Sequence, residues 1–141
     1  KHYLFQLFIL IFLLFQVLSM AKADNLAPEV VMGARTISTA TTKLFAEKDY
    51  MLIDVRGIDD YSNGHIPGAY HLPVKREDFS SENLEKIVER DQAVIFYCNG
   101  INCMGSSMAS VKAVEWGWTN VLYYRDGFEG WKETGLAITS K

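Results

Sequence analysis

Apolar and polar stretches alternate along residues 35–141 in the rhythm of strands separated by helices. Five short apolar stretches are strand candidates: residues 35–38, 51–55, 70–73, 93–97 and 121–124. Runs of this length with little internal alternation are typical of buried parallel strands. Strands separated by helices predict an α/β domain whose parallel sheet is flanked by helices on both faces.

Four stretches between and after these strands predict helices. Thr39 is the expected N-cap of the first, and Ser80 or Ser81 that of the second. Val111 and Val114 are expected on the inward face of the third. The helices are expected over residues 39–46, from Ser80 or Ser81 through Val88, and over residues 107–115 and 128–134.

The amino-terminal segment has a different pattern. Residues 3–20 are almost continuously apolar, and Ala21-Lys22-Ala23 places small residues at the spacing that a signal peptidase reads. We therefore expect a signal peptide over residues 1–23, with Asp24 as the first mature residue. The alternative is an uncleaved membrane anchor, because about 18 apolar residues just span a bilayer.

Both alternatives predict an exported domain, in the periplasm or another extracytoplasmic compartment. Because the sequence begins with Lys1 rather than Met, we expect its true start to lie further upstream. Residues 24–34 are expected to be a loose tether, and residues 35–141 the folded domain.

The charge balance excludes some partners. Cleavage would leave 118 residues (141 minus 23), with 12 basic side chains against 17 acidic ones and a net charge of −5. A mildly acidic domain without a basic patch is not expected to bind nucleic acid. Contact with a membrane is expected only through the N-terminal segment, if it stays uncleaved.

Cys98 is the residue whose setting most suggests chemistry. It follows the strand candidate at residues 93–97 and precedes a glycine-containing loop that enters a helix. Such a loop turns backbone N–H groups toward one point, and the helix dipole adds positive potential. A thiol held there is expected to have a pKa below the ordinary value of about 8.5. The alternative is a buried structural cysteine.

Three separated motifs resemble one known family, the rhodanese-homology domains. The first motif is residues 52–56 together with residues 64–69, the second is residues 97–100, and the third places Gly127 before Trp131. The resemblance covers about residues 35–138. It implies a five-stranded parallel sheet and a cysteine that carries sulfur as a persulfide.

Carried onto this sequence, the resemblance makes Cys98 the nucleophile and sulfur carrier. Single-domain members transfer sulfur from thiosulfate, polysulfide or persulfides to thiols or cyanide. The loop residues that would form the anion cradle and bind substrate are Asn99, Gly100, Ile101, Asn102, Met104, Gly105 and Ser106.

The loop departs from the family pattern in two ways. Ser106 and Ala109 match the family's loop ending, which puts Gly105 where an arginine usually stands, and the loop is about two residues longer. Without that bidentate guanidinium the loop is less suited to thiosulfate, so polysulfide or a persulfide is the expected donor. Arg125, just beyond the strand at residues 121–124, is a candidate to replace it partly; a solvated surface charge is the alternative.

Cys103 is a further departure from the family pattern. It is expected to act as a resolving thiol for Cys98, because a curled loop of this length can bring the two Cα atoms to disulfide distance. Exported proteins also meet oxidising conditions. The alternative is a small residue that fills the loop.

Three further residues near the site are expected to be structural. Asp54 and Arg56 are expected to form a salt bridge at a strand end, and His65 to fix a turn. The irregular spacing of histidines and cysteines predicts no metal site, and no cofactor is expected.

The sequence therefore predicts an exported sulfurtransferase with a small sulfur donor and a thiol acceptor as partners. Two alternatives stay open. One is a thiol–disulfide or redox-sensing module that uses Cys98 and Cys103, and the other is a non-catalytic binding domain of the same fold.

Overall fold

The computed structural model describes residues 1–4, 6–7 and 25–141. Its central feature is a five-stranded parallel sheet. The strands are β1 (Ala34–Thr36), β2 (Met51–Asp54), β3 (Tyr70–His71), β4 (Val94–Tyr97) and β5 (Val121–Tyr124), in the spatial order β1-β5-β4-β2-β3. All four pairings are parallel. This confirms the predicted sheet.

Five helices connect and follow the strands. They are α1 (Thr39–Ala46), α2 (Ile58–Asn63), α3 (Ser81–Glu85), α4 (Gly105–Glu115) and α5 (Gly127–Glu133). Ser80 caps α3, as one of the two predicted alternatives. Ser38 rather than Thr39 caps α1, since its hydroxyl accepts a hydrogen bond from Thr41 N at 3.2 Å. The short α2 was not predicted, because its six residues carry no clear apolar period.

The two faces of the sheet bury separate apolar clusters, because successive side chains of a strand point to opposite faces. Ile53 and Phe96 pack with Ala109 and Ala113 of α4 on one face. Leu52, Ile95 and Trp131 pack on the other, where Phe45 of α1 joins them. Full burial of each such large apolar side chain contributes about 1.5–3 kcal/mol. Helices therefore cover both faces, as predicted.

One inward position was predicted wrongly. Val111 has 42% of its surface exposed, whereas Val114 packs against the core. The inward face of α4 consists instead of small residues, Ser106, Ala109, Ser110 and Ala113, all fully buried. Small side chains let α4 lie close to the sheet, and an apolarity count does not detect such a face.

The segment before β1 is packed rather than loose. Ala27 and Val31 are buried, and the carbonyl of Pro28 accepts a hydrogen bond from the Tyr123 hydroxyl at 2.8 Å. Ala27 N donates to the carbonyl of Ile101 at 2.7 Å. The prediction of a loose tether is therefore wrong for this part, because only two apolar side chains anchor it and they form no periodic pattern.

Most of the predicted signal segment lies outside the described residues. Within the described part of the chain, no helix combines the length and apolarity needed to cross a membrane.

The chain order places a crevice at one edge of the sheet. From β2 the chain moves outward to β3, and from β4 it moves outward to β5 on the other side. In open parallel sheets, ligands bind at the carboxyl ends of the strands where the winding direction reverses. Here that point lies between Asp54 and Tyr97, the paired last residues of β2 and β4.

Gly127 fixes the closing segment against the loop after β4. Its φ is +59°, and a Cβ at this position would meet the carbonyl oxygen of Cys98. The next two amides donate to that loop: Phe128 N to Cys98 O at 2.9 Å and Glu129 N to Asn99 O at 2.8 Å. Glycine is needed here for both the dihedral angle and the close approach.

An alanine held in the left-handed region costs about 1–2 kcal/mol. We expect Gly127→Ala to lower the free energy of unfolding by clearly more than this cost. The excess comes from displacement of the Cys98 carbonyl. Gly135→Ala is the matched control, because Gly135 has φ +71° but no atom within 4 Å of an added Cβ. Urea unfolding of both variants measures the difference, and equal destabilisation would refute this role of Gly127.

Candidate active site

Cys98 stands directly after β4 and is joined to Cys103 by a disulfide bond, with their Cα atoms 6.1 Å apart. Cys98 is buried and Cys103 half-buried. A turn closes the loop between them, since Cys103 N donates to Gly100 O at 2.9 Å. The structure thus joins the two cysteines that the sequence singled out.

Gly105 lies against both sulfur atoms. A Cβ built on Gly105 would be 3.0 Å from Cys98 Sγ and 3.5 Å from Cys103 Sγ. Gly105 is also the first residue of the eleven-residue helix α4, so Cys98 Sγ lies at the electropositive end of that helix. A side chain at position 105 would crowd Cys98 Sγ, whereas Cys103 Sγ would be in ordinary van der Waals contact, which gives a physical reason for glycine here.

A buried ion pair holds the neighbouring strand end. Asp54 is fully buried and Arg56 is 4% exposed, and Arg56 Nη2 donates to Asp54 Oδ2 at 2.7 Å. The Tyr97 hydroxyl donates to the same oxygen at 2.6 Å. Arg56 Nη1 donates to Asn99 Oδ1 at 3.1 Å, so the network reaches the loop that carries Cys98.

The network fixes the charge states of its members. Burial alone would lower the pKa of Arg56, but its hydrogen bond to Asp54 and the charge of that carboxylate outweigh burial and raise the pKa. Burial, and then the charge of Asp54, raise the pKa of Tyr97 far above its ordinary value. Tyr97 therefore stays a neutral hydrogen-bond donor and Arg56 stays charged.

One predicted residue, His65, lies outside the lining of the pocket beside Cys98 and has structural contacts. His65 Nδ1 is 2.8 Å from the carbonyl of Tyr61, and the two rings stack with centroids 3.8 Å apart. The backbone of His65 also pairs with Thr139. These contacts fasten the chain after α5 to the chain after α2.

Arg125 does not replace the missing loop arginine. Its Nε and Nη2 both donate to the carbonyl of Ala27, at 3.0 and 2.8 Å. Its guanidinium thus anchors the segment before β1, and it does not line the pocket beside Cys98. The prediction of a substrate-binding role for Arg125 is wrong, because a strand end gives the edge of the sheet but not the direction of a long side chain.

A pocket of about 190 Å³ opens beside the disulfide, between three segments. The loop contributes Cys98, Asn99, Cys103 and Gly105, and the chain after β2 contributes Val55, Arg56, Gly57 and Asp60. The chain after β3 contributes Pro73, Val74, Lys75 and Arg76.

The other predicted loop residues do not line this pocket. Ile101 and Asn102 face a separate groove with Asp126 and Glu129, and Met104 is exposed at the start of α4. Gly100 lies against the side chain of Glu129. The hydroxyl of Ser106 is buried without a hydrogen-bond partner among the described residues.

Lys75 and Arg76 line the pocket but were not predicted as site residues. A signal was present, because two cationic residues follow the short strand candidate at residues 70–73 and so fall at the carboxyl edge of the sheet. Among the described residues, no group of three or more His, Cys, Asp or Glu side chains is placed to hold a metal ion.

Comparison with known proteins agrees with this architecture. The family model described as "Rhodanese-like domain" matches residues 39–134. A thiosulfate sulfurtransferase, GlpE of Coxiella burnetii, is 33% identical over 91 residues, which are 64% of this chain and 78% of that protein. An HTH-type transcriptional regulator of Mycobacterium tuberculosis is 32% identical over 89 residues, and the match spans only 36% of its length.

Solved structures share the fold at lower identity. The BH2092 protein of Bacillus halodurans superimposes with a TM-score of 0.65 at 24% identity, covering 76% of this chain and 77% of that one. The Alr3790 protein of Anabaena gives a TM-score of 0.65 at 23% identity, covering 74% and 82%. With its five-stranded parallel sheet, its cysteine at the end of β4 and a family match over most of its length, this chain belongs to the rhodanese-like domain family.

Proposed function

We propose that this chain is a sulfurtransferase that carries sulfane sulfur as a persulfide on Cys98. The observation that supports this most is the position of Cys98, which lies at the N terminus of α4, lines a small pocket and is bonded to a second cysteine. The positive end of a helix stabilises a thiolate or a hydropersulfide anion. The named activity of the Coxiella burnetii relative adds support.

The cycle begins with reduction of the disulfide by an external dithiol, which is itself oxidised to a disulfide. The Cys98 thiolate then attacks the outer sulfur of a persulfide R–S–SH. The S–S bond of the donor breaks, R–S⁻ leaves and takes up a proton, and Cys98–S–SH forms. Covalent capture divides one difficult transfer into two easier ones.

Two routes can remove the sulfur. An external thiol acceptor attacks the outer sulfur, which leaves on the acceptor as a new persulfide and restores the Cys98 thiolate. Alternatively, the Cys103 thiolate attacks Cys98 Sγ, so that hydrosulfide leaves and the disulfide is restored. The second route needs two electrons from a reductant in each cycle, and the Cα separation of 6.1 Å is compatible with it.

The hydrogen-bond donors around Cys98 favour polysulfide or a persulfide over thiosulfate as the donor of sulfur. Gly105 offers no guanidinium, and Arg56 is engaged with Asp54, Asn99 and the Gly64 carbonyl. A doubly charged oxyanion therefore finds no free bidentate partner on the loop itself.

A thiol–disulfide or redox-sensing module is the second candidate. The disulfide between Cys98 and Cys103 favours it, because such a bond can cycle without any sulfur cargo. The two functions differ in what the reduced protein gains from polysulfide: a sulfur atom in the first, and only a disulfide in the second.

We also propose that the domain acts outside the cytoplasm. The support is the apolar run at residues 3–20 followed by Ala21-Lys22-Ala23. An oxidising compartment suits a chain whose two cysteines are bonded to each other.

We expect the reduced protein to gain the mass of one sulfur atom when a brief polysulfide pulse is quenched at once. Cys98→Ser should abolish loading, whereas Cys103→Ser should retain it, because the nucleophile is the residue at the end of β4. Intact-mass spectrometry measures both. If the wild-type protein only loses the mass of two hydrogens, even at the earliest times, it has formed the disulfide without taking up sulfur. That result would support the redox module instead.

We expect Cys103 to shorten the life of the persulfide. Its thiolate is held in the same short loop as Cys98, so its effective concentration there is about millimolar or higher. After excess polysulfide is removed, wild type should release sulfide and return to the disulfide mass, at least about tenfold faster than Cys103→Ser. If both proteins hold their sulfur equally long, Cys103 takes no part in unloading.

We expect cells that express the full-length precursor to accumulate the protein outside the cytoplasm, beginning at Asp24. Fractionation and N-terminal sequencing test this. Substitution of Ala23 by Arg should leave the segment attached, because the peptidase requires a small residue there. Recovery of the uncleaved wild-type chain from the cytosol would contradict the proposal.

A further inference from the structure

The pocket beside Cys98 carries charges of both signs at its rim. Lys75 and Arg76 line it from the chain after β3, and Asp60 lines it from α2. All three side chains belong to exposed residues, whereas Cys98 at the bottom is buried. A ligand that reaches Cys98 therefore meets two cations and one carboxylate.

Arg56 also lines the pocket, but most of its N–H groups are already engaged. Its Nε and Nη2 donate to Asp54, Nη2 also donates to Gly64 O, and Nη1 donates to Asn99 Oδ1. Asp54 balances its charge. Recognition of an anion is thus left to Lys75 and Arg76.

These two cations are available to a ligand. Lys75 takes part in none of the ion pairs found in the described part of the chain. Arg76 Nε is 3.5 Å from Asp78 Oδ2, but both side chains are more than 60% exposed, with values of 65% and 63%. Because the ion pair between Arg76 and Asp78 is so exposed to water, it is weak, and Arg76 can readily exchange Asp78 for a ligand.

Asp60 is the opposite charge on the rim. Its Oδ2 accepts a long hydrogen bond of 3.4 Å from Asn99 Nδ2, and its carboxylate forms no salt bridge with any described residue. A cationic group of a ligand would be attracted to this carboxylate. The rim is therefore complementary to a molecule that carries both a carboxylate and an ammonium group.

Size limits the ligand further. The pocket of about 190 Å³ is smaller than the about 300–1,000 Å³ that drug-sized ligands occupy. Resting on the proposed function, we propose that the preferred sulfur donor is the persulfide of a free α-amino acid. Lys75 and Arg76 bind its carboxylate, Asp60 attracts its ammonium group, and its outer sulfur faces Cys98.

The reaction is balanced as in the general cycle. The reduced Cys98 thiolate attacks the outer sulfur, the donor S–S bond breaks, and the amino-acid thiolate leaves and takes up a proton. Cys98–S–SH forms, and no further oxidant or reductant is needed for this step.

Four probes separate the two charges of the donor: the persulfides of cysteine, N-acetylcysteine, cysteamine and 2-mercaptoethanol. The cysteine compound carries both a carboxylate and an ammonium group, and the N-acetylcysteine compound carries the carboxylate alone. The cysteamine compound carries the ammonium group alone, and the 2-mercaptoethanol compound carries neither charge. Loading of reduced Cys103→Ser protein is followed by rapid quench and intact mass, which keeps the persulfide from being resolved. We expect cysteine persulfide to load about three- to tenfold faster than 2-mercaptoethanol persulfide, the range for one or two exposed charge contacts.

Variants assign each contact. Lys75→Gln with Arg76→Gln should slow the two carboxylate donors about three- to tenfold and spare the neutral one. Asp60→Asn should slow the cysteine and cysteamine donors only. Lys43→Gln with Lys48→Gln is the matched control, because it removes the same charge from residues outside this pocket and should change nothing.

The outcomes separate this inference from the proposed function. If no donor loads Cys98, the sulfurtransferase proposal fails. If all four persulfides load equally, or the rim variants leave the order unchanged, the sulfurtransferase stands and the amino-acid specificity is refuted. Thiosulfate is run beside the four persulfides as a small oxyanion. If it loads fastest and its loading depends on Lys75 and Arg76, the rim selects a small oxyanion, which also refutes the amino-acid specificity.

Discussion

The ion pair between Asp54 and Arg56 joins the parts of the molecule that must meet at the carboxyl edge of the sheet. A carboxylate with no exposed surface loses its hydration, so its charge is tolerable only when partners replace the water. Those partners are the guanidinium and the backbone N–H of Arg56, just after β2, and the Tyr97 hydroxyl at the end of β4. Arg56 in turn donates to the carbonyl of Gly64, which ties in the chain after α2. Loss of any one leaves a buried charge unsatisfied, so the partners must be assembled together.

The ion pair also explains why Arg56 cannot do two tasks. A guanidinium has five N–H groups, and here most of them hold a strand end, a turn and Asn99 in place. Its fixed position makes the floor of the pocket rigid. Charge recognition then falls to side chains on the rim, where Lys75 and Arg76 are hydrated and can exchange partners.

Much of the fold could be predicted from sequence, since the apolar runs 51–55, 93–97 and 121–124 leave little alternative to buried parallel strands. The position of Cys98 followed from the same reasoning. What the sequence did not predict depends on the direction of long side chains and on packing of small ones. Arg125 was placed at the correct edge but turns toward Ala27, and the face of α4 that packs on the sheet is built of serine and alanine.

Gly105 and Cys103 also constrain how this loop can change over evolution. An arginine at position 105 would bring its Cβ to 3.0 Å from Cys98 Sγ, so this sulfur atom would have to shift by a few tenths of an ångström while the disulfide holds it in place. Loss of Cys103 alone would remove the bond without supplying a guanidinium. The two positions are therefore coupled through Cys98: a side chain at position 105 is accommodated more easily once Cys103 no longer holds the Cys98 sulfur atom, and the chain that has lost only Cys103 has neither the second sulfur nor the cation.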